Sequence, residues 1–356
     1  MKTPAVSVVI PSYNHGKYVG RCLQAFLGQT FHDFELIIID DASSDDNVAQ
    51  IEKYKDPRIR LIARMVNRGV TAGMNEGAQM ARSKLICFFA SDDIPDPDYL
   101  ESLVKMSEAN PSAIGFFVSC RHIDEDGNLT GTSSRQPVGI ARNEILRRSF
   151  MGGNQMSSPG MAIRKNALTG DLPAGTAQFS DWILHNRLML AGEVVISGKA
   201  SHSYRISSSS LSSRSDLAIS REAAETRLMM DDFLNILTIS RVIEIFGKDA
   251  EEFEALPDIH VPYVLGRLAL TSAYQEKRNW GYEIIMRHLS IKGMAEDLAA
   301  CAKFTYKDFA SMAPRIAGSP VKEINDLRRR LRRQRIISVI LGIGLVAAIA
   351  LWLAAR

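Results

Sequence analysis

Short apolar segments alternate with amphipathic stretches along the first 120 residues. The apolar runs predict strands at residues 6–10, 36–39, 60–63 and 85–89, and helical patterns follow at about 16–28, 45–55, 70–82 and 97–109. Strands that are apolar on both faces, each followed by a helix, are typical of a largely parallel sheet with right-handed crossovers. The pattern therefore predicts an α/β fold for this part of the chain.

The pattern loosens after residue 120. The sequence DEDGN at 124–128 predicts a turn between two strands, and residues 194–196 predict one more strand. Residues 201–215 are rich in serine and predict a mobile loop, whereas residues 219–312 have a helical pattern throughout. We therefore divide the body of the chain into an α/β domain at 1–215 and a helical accessory region at 216–312.

The end of the chain combines a basic cluster with an uncharged segment. Six arginines lie within residues 328–335, and residues 336–354 carry no charge. A helix of that length rises about 28 Å, close to the roughly 30 Å of a bilayer's hydrocarbon core, and a cationic flank tends to stay in the cytoplasm. We expect a linker at 313–335, one transmembrane helix at 336–354, and an inner or plasma membrane protein whose α/β domain is cytoplasmic. For residues 336–354, the alternative is a helix buried in the core of the protein.

Composition and charge exclude several classes of protein. The chain is 46% hydrophobic and 23% charged, which is ordinary for a globular protein. Its net charge is +3, but seven of its positive charges lie at 328–335 and 356, so the rest is mildly acidic and nucleic acid is not an expected partner. The four cysteines show no CxxC spacing, which favours isolated thiols in a reducing compartment. Nothing in the sequence indicates an oligomeric state.

Polar residues gather where the predicted strands end: PSYN at 11–14, DDAS at 40–43 and ASDD at 90–93. The carboxyl ends of parallel strands meet at one edge of a sheet, so these groups are expected to share a cleft. Asp92 and Asp93 repel each other unless a cation or ligand donors stabilise them. A divalent cation held by one or two carboxylates and substrate phosphates would meet that need. For any single Asp, a loop or capping role is the alternative.

Several other sequence motifs of enzymes are absent: the P-loop, GxGxxG after the first strand, HExxH and GxSxG.

Four blocks of sequence carry a resemblance to a known family. Residues 6–47, VSVVIPSYNHGKYVGRCLQAFLGQTFHDFELIIIDDASSDDN, resemble the amino-terminal signature of the family 2 glycosyltransferases, which have the GT-A fold. The likeness continues in residues 67–101 and resumes at FSDWILHNRLMLAGEVV and SYRISSSSLSS, so that it covers about residues 5–215. It implies a nucleotide-diphospho-sugar transferase with a Rossmann-like, mostly parallel sheet.

The resemblance also implies roles for the residues at the strand ends. Pro11 and Tyr13 would line the base and ribose pocket, with the Tyr13 ring against the base. Asp41 would bond the base edge with support from Asp40, and Arg68 would reach the phosphates.

Further positions of the family concern the metal and the reaction. Asp93 would bind Mg²⁺ or Mn²⁺, with Asp92 on the ribose or beside the metal; Ala90 stands where some members have a further Asp. Asp181 would be the catalytic base that takes the proton of the acceptor hydroxyl, although an Asp opening a helix is otherwise a common cap. Arg205 would stabilise the leaving diphosphate, with an ordinary salt bridge as the alternative.

These roles predict a metal-dependent, inverting glycosyltransferase in envelope or exopolysaccharide biosynthesis. The processive QxxRW signature is absent, which favours transfer of single sugars. The Arg cluster would attract anionic lipids at about 1 kcal/mol per Arg, so the expected acceptor is a saccharide, polyprenyl-linked in the leading interpretation. The alternatives are a degenerate scaffold that binds nucleotide sugar without turnover and a nucleotidyltransferase on a related fold.

Overall fold

The computed structural model describes residues 2–134, 136–156, 160–207 and 216–313. The strands are β1 (Val6–Ser12), β2 (Phe34–Asp40), β3 (Ile59–Ala63), β4 (Leu85–Phe88), β5 (Ile94–Pro95), β6 (Gly115–Ile123), β7 (Leu129–Ser134), β8 (Met161–Arg164) and β9 (Val194–Arg205). The helices before residue 200 are α1 (Gly16–Leu27), α2 (Asn47–Glu52), α3 (Val70–Met80), α4 (Tyr99–Ala109), α5 (Arg142–Met151) and α6 (Ser180–Ala191). Those after it are α7 (Asp216–Asp231), α8 (Ile239–Phe246), α9 (Val261–Ala269), α10 (Gln275–Leu289), α11 (Met294–Ala302) and α12 (Tyr306–Ser311).

The described strands form one mixed sheet in the order β3-β2-β1-β4-β8-β6-β9-β5, with β7 beside β6. β1, β2, β3 and β4 are parallel, as predicted, and β6 is parallel to β9. The other pairings, β4 with β8, β6 with β8, β6 with β7 and β5 with β9, are antiparallel. The α/β fold is therefore confirmed, and the sheet is mixed where a mostly parallel one was expected. Antiparallel neighbours need no crossover helix, so the alternation of strand and helix gave no sign of them.

Close packing of α3 on β1 brings the start of that helix to the edge where β1 ends. A Cβ added to Gly77 would lie 2.2 Å from Val9 Cγ1, and one added to Gly73 would lie 3.2 Å from Pro11 Cβ. Pro11 lies within β1, where residues 6–10 alone were predicted as strand. Pairing of β1 with β4 extends only to Val9, so the missing N–H of Pro11 breaks no bond to that neighbour.

Strand β9 is much longer than the predicted 194–196 and includes the first part of the predicted loop. Its far end runs parallel to β6, where Ile123 is in register with Arg205. Ser201, His202 and Arg205 are buried there. The strand was not predicted beyond residue 196 because its polar side chains lack the apolar alternation of a half-buried strand. Residues 208–215 lie outside the described residues.

The helices α7–α12 lie where a helical pattern was predicted, and they share a hydrophobic core with the sheet. One cluster of buried residues contains Val9 of β1, Phe117 of β6 and Trp280 of α10. Phe150 of α5 joins the two parts, since its ring makes edge-to-face contacts with Phe233 and Trp280. The helical region is thus packed as part of the α/β body.

No helix in the described ranges combines the length and the apolar character needed to cross a membrane. The predicted transmembrane helix at 336–354 and the Arg cluster at 328–335 lie outside those ranges. The predicted anchor therefore stays a prediction.

Candidate active site

The loops that follow β1 and β2 are hydrogen-bonded to each other at the edge of the sheet. Asn14 has φ 53°, a conformation that Asn tolerates better than most residues, and its Oδ1 accepts from the backbone N–H of Ser44 at 2.8 Å. Its own N–H donates to Ser43 Oγ at 2.9 Å. Asp40 is buried and accepts from the N–H of Ser43 and the side-chain amide of Asn47. Asp40 therefore supports the loop that begins with Asp41.

Asp41 connects the end of β2 to the start of α3. Its carboxylate accepts from the backbone N–H groups of Arg68 at 2.9 Å and Gly69 at 2.7 Å, and from Arg64 Nη1 at 2.8 Å. Gly69 has φ 85°, which favours glycine at this turn. The side chain of Arg68 points outward, with Nη1 3.5 Å from Glu76. In this structure Asp41 shapes the turn before α3, and the expected contact with a base stays a prediction.

Tyr13 is exposed, whereas Pro11 is half-buried. Tyr13 follows the end of β1 and is 46% exposed, although it is a large aromatic residue. Pro11 lies two residues earlier, inside the strand and against α3. The exposed ring of Tyr13 offers an aromatic face at the edge of the sheet, which is the chemistry that stacking on a nucleobase needs.

Asp92 and Asp93 follow β4 and face different surroundings. Asp93 is fully buried, its Oδ1 accepts from the backbone N–H of Arg205 at 2.8 Å, and its Oδ2 has no hydrogen-bond partner among the described residues. Burial, together with the charge of Asp92, raises the pKa of Asp93 well above its usual range. The side chain of Asp92 keeps 17% of its surface. Of the two carboxylates, Asp92 is thus the accessible one.

The unpartnered oxygen of Asp93 fits the metal that the family resemblance implies. A buried carboxylate oxygen without a donor requires a proton or a cation. Within the described ranges no cluster of three or more His, Cys, Asp or Glu is placed to hold a metal ion. Two carboxylates with phosphate and water ligands are, however, a common arrangement for Mg²⁺.

His15 is a member of this site that the sequence argument missed. It immediately precedes α1, its Nδ1 lies 2.7 Å from Ser91 Oγ, and the same atom lies 3.9 Å from Asp92 Oδ1. The polar residues predicted at the end of β1 are 11–14, and His15 follows them directly. Its position just before a predicted helix is the signal that would have included it.

Arg205 lies inside the protein, whereas a residue that stabilises the leaving diphosphate would face the donor, and its expected role stays a prediction. It is 1% exposed, and its guanidinium lies 4.5 Å from the centre of the Tyr18 ring. Its Nε donates to the carbonyl of Asp92 and its Nη1 to the carbonyls of Asp124 and Glu125. Because β9 continues through residue 205, the side chain reaches these inward carbonyls. Arg205 therefore orients the Asp92–Asp93 turn.

Asp181 lies in the first turn of α6 and is half-buried. Its Oδ1 accepts from the backbone N–H of Trp182 at 2.6 Å. Burial, with a smaller contribution from the charge of Glu225, raises its pKa to about 7. A carboxylate with a pKa near the operating pH is matched to general base catalysis.

The segment before α6 is attached to the same edge of the sheet as the strand-end residues. Thr71, in the first turn of α3, donates its hydroxyl to the carbonyl of Thr176 at 2.6 Å. Asn75, one turn later, donates to the carbonyl of Leu172. Asp41 fixes Gly69, two residues before Thr71, so the start of α3 is bonded both to the end of β2 and to the segment that leads to Asp181.

Comparison with known proteins agrees with this arrangement. Residues 7–171 match Glycosyl transferase family 2. This segment of the chain belongs to that family. Chondroitin synthase of Escherichia coli is 32% identical over 139 residues, which are 38% of this chain and 20% of that protein. The putative glycosyltransferase EpsH of Bacillus subtilis is 29% identical over 208 residues, 52% of this chain and 57% of EpsH.

The match thus spans about a fifth of chondroitin synthase and somewhat over half of EpsH. The crystal structure of S. aureus TarS 1-349 in complex with UDP-GlcNAc superposes with a TM-score of 0.55 at 17% identity, covering 87% of this chain and 90% of that one. That likeness shows a shared fold.

Proposed function

We propose that this chain transfers a sugar from a nucleotide-diphosphate donor to an acceptor hydroxyl, with inversion at the anomeric carbon. The observation that carries the proposal is Asp181, whose pKa is raised to about 7 at the start of α6. Residues 172–176, which precede α6, are hydrogen-bonded to α3, and α3 begins beside the strand-end residues. Membership of residues 7–171 in the glycosyltransferase family supports the reaction class.

The donor is proposed to bind across the carboxyl ends of β1, β2 and β4. Tyr13 would stack on the base, since its ring is exposed there. Asp40 and Asp41 hold the loops that frame the pocket, and Arg68 has an outward side chain that suits a phosphate contact. UDP-GlcNAc is the first donor to test, because a protein of the same fold was crystallised with it.

Asp92 and Asp93 would hold Mg²⁺ or Mn²⁺ beside the donor phosphates. When bound, the ion would offset the negative charge that develops on the departing nucleotide diphosphate. The unpartnered Oδ2 of Asp93 and the accessible carboxylate of Asp92 support this assignment. Arg205 contributes by fixing the carbonyl of Asp92 and thereby the turn.

The proposed chemical step is a single displacement. Asp181 takes the proton of the acceptor hydroxyl while the hydroxyl oxygen attacks the anomeric carbon. The bond from that carbon to the diphosphate oxygen breaks on the opposite face, and the nucleotide diphosphate leaves with the bonding electrons. One attack from one face inverts the anomeric centre.

The proposed acceptor is a polyprenyl-diphosphate-linked saccharide at a membrane surface. The arginines at 328–335 would attract anionic head groups, and the uncharged residues 336–354 would anchor the chain beside such a substrate. In that arrangement the described domain faces the cytoplasm, where nucleotide sugars are made. The product would be an extended saccharide for envelope or exopolysaccharide assembly.

The test is a donor screen with the full-length chain in membranes. Nucleotide release and sugar incorporation are measured with UDP-GlcNAc and other nucleotide sugars, Mn²⁺ or Mg²⁺, and a membrane lipid extract as acceptor. Asp181→Asn is the matched inactive control, since Asn keeps the size of the side chain. We expect it to fold, to melt no lower than the parent at neutral pH because it removes a buried ionisable group, to bind UDP equally well and to lose about 10²–10⁴-fold in turnover. Transfer by Asp181→Asn at the parental rate would refute the assignment of the base.

A further inference from the structure

We propose that Glu225 of α7 is a positioning residue that fixes the backbone leading to Asp181 and thereby sets the geometry of proton transfer. The inference rests on the proposed function, since Asp181 is the base only in that reaction. Glu225 lies beyond residues 7–171, the segment that matches the family, and in the part of the chain first interpreted as an accessory region.

The contacts of Glu225 are concentrated on three consecutive backbone amides. Its Oε1 accepts from the N–H of Ala177 at 2.9 Å, and its Oε2 accepts from those of Gln178 at 2.9 Å and Phe179 at 2.7 Å. Glu225 is 5% exposed. Hydrogen bonds to an ionised carboxylate are stronger than neutral ones, and burial reduces competition from water. The carboxylate therefore fixes this short segment firmly.

The fixed segment leads directly into the turn that carries Asp181. Phe179 immediately precedes α6, and its ring packs against Trp182 with centroids 4.8 Å apart. The N–H of Trp182 donates to Asp181, while its indole N–H donates to Ser149 Oγ of α5. A rotation of residues 177–179 would therefore move the start of α6 and the carboxylate of Asp181 together.

Glu225 also acts on Asp181 through its charge. It is the charged residue that adds to burial in raising the pKa of Asp181. Among the described residues, charged groups near this segment include Glu222 and Lys277. Glu222 is an exposed residue one turn earlier on α7 that accepts from the Gln178 side chain, and Lys277 of α10 has its Nζ 5.0 Å from the Trp182 ring. Removing the charge of Glu225 should therefore lower the pKa of Asp181.

Substitution by glutamine separates positioning from simple packing. Glu225→Gln keeps the size of the side chain but removes its charge and turns an amide group toward backbone N–H donors that need an acceptor. Glu222→Gln makes the same chemical change one turn away, on the exposed side of α7. Glu225→Asp keeps the charge and withdraws the carboxylate by one methylene. All three are made in the full-length chain, together with Asp181→Asn.

The measurements are turnover against pH with the donor found in the screen, donor KM, and two readouts that need no activity. These are hydrogen exchange of residues 173–183 and carbodiimide labelling of Asp181 across neutral pH, both followed by mass spectrometry. We expect Glu225→Gln to lose about 10- to 100-fold in kcat at unchanged donor KM, since small misplacements of a catalytic group have effects of this size. Its 177–179 amides should exchange faster, and both titration curves should move to lower pH. Glu222→Gln should match the parent.

The inference is overturned if Glu225→Gln shows parental kcat, titration curves and exchange while Asp181→Asn is inactive; the proposed function then stands. If Asp181→Asn is active, the proposed function fails, and with it the positioning role. If Glu225→Gln does not fold, the positioning role is tested with Glu225→Asp. It should show faster exchange and lower kcat with the titration of Asp181 nearly unchanged, and parental values for exchange and kcat would refute the role.

Discussion

The backbone N–H of Arg205 donates to Asp93 Oδ1 at 2.8 Å, which joins the end of β9 to the turn after β4. The guanidinium of Arg205 adds a bond to the carbonyl of Asp92 in the same turn. The turn that carries the two adjacent carboxylates is therefore held by a residue more than a hundred positions away. This arrangement leaves one oxygen of Asp93 without a described partner and keeps Asp92 accessible.

We expect Asp93→Asn to preserve the fold and to abolish metal-dependent turnover. Asn has almost the same shape, and its Oδ1 can still accept from Arg205, so the melting temperature should not fall. Its neutral side chain would bind a divalent cation far more weakly than a carboxylate does. Thermal melting and turnover against Mn²⁺ concentration test this. Parental turnover with Mn²⁺ would place the metal on other residues.

The raised pKa of Asp181 predicts a definite pH dependence. The base works when deprotonated, so turnover should rise with pH through about 7 and then level off. The free energy of unfolding should instead fall as pH rises. Because the folded chain holds this proton up to about 7 and the unfolded chain releases it near 3.8, the contribution of Asp181 to stability falls as pH rises between those values. Asp181→Asn should remove that part of the slope, as measured by denaturant unfolding at several pH values. An identical slope in the variant would contradict the raised pKa.

Tyr13 should contribute to donor affinity through its ring. Tyr13→Ala is expected to weaken UDP binding by about 1–3 kcal/mol, the usual loss when an aromatic platform for a base is removed. Tyr13→Phe keeps the ring and serves as the matched control, with affinity near that of the parent. Tyr13 is 46% exposed, so neither change should shift the melting temperature much. Calorimetric titration with UDP measures the effect, and equal affinity in Tyr13→Ala would exclude stacking.

Deletion of residues 328–356 tests the predicted anchor. The truncated chain should leave the membrane fraction and still bind UDP, because every residue assigned to the donor site lies before residue 100. Fractionation after a high-salt wash, with the full-length chain in parallel, provides the measurement. Retention of the truncated chain in the membrane would show that residues 1–327 contain a membrane contact of their own.

The sequence by itself determined the first half of the sheet and the strand ends at which the candidate site lies. β1, β2 and β4 are continuous apolar runs because both of their faces are buried, and such runs are readable without a partner. The polar residues that follow them must then share one edge, which placed Tyr13, Asp41 and Asp92 correctly at the ends of their strands. Local periodicity was sufficient for these inferences, since each depends only on neighbouring residues.

Tertiary structure alone decided the antiparallel half of the sheet, the inward direction of Arg205 and the contacts of Glu225 with residues 177–179. β9 carries buried polar side chains whose partners are carbonyls from distant turns, and no local pattern encodes such pairings. The pKa of Asp181 likewise depends on burial by α6 and its surroundings and on a charge from α7. Long-range hydrogen bonds and desolvation arise only when separate segments meet, and a linear sequence does not display which segments do.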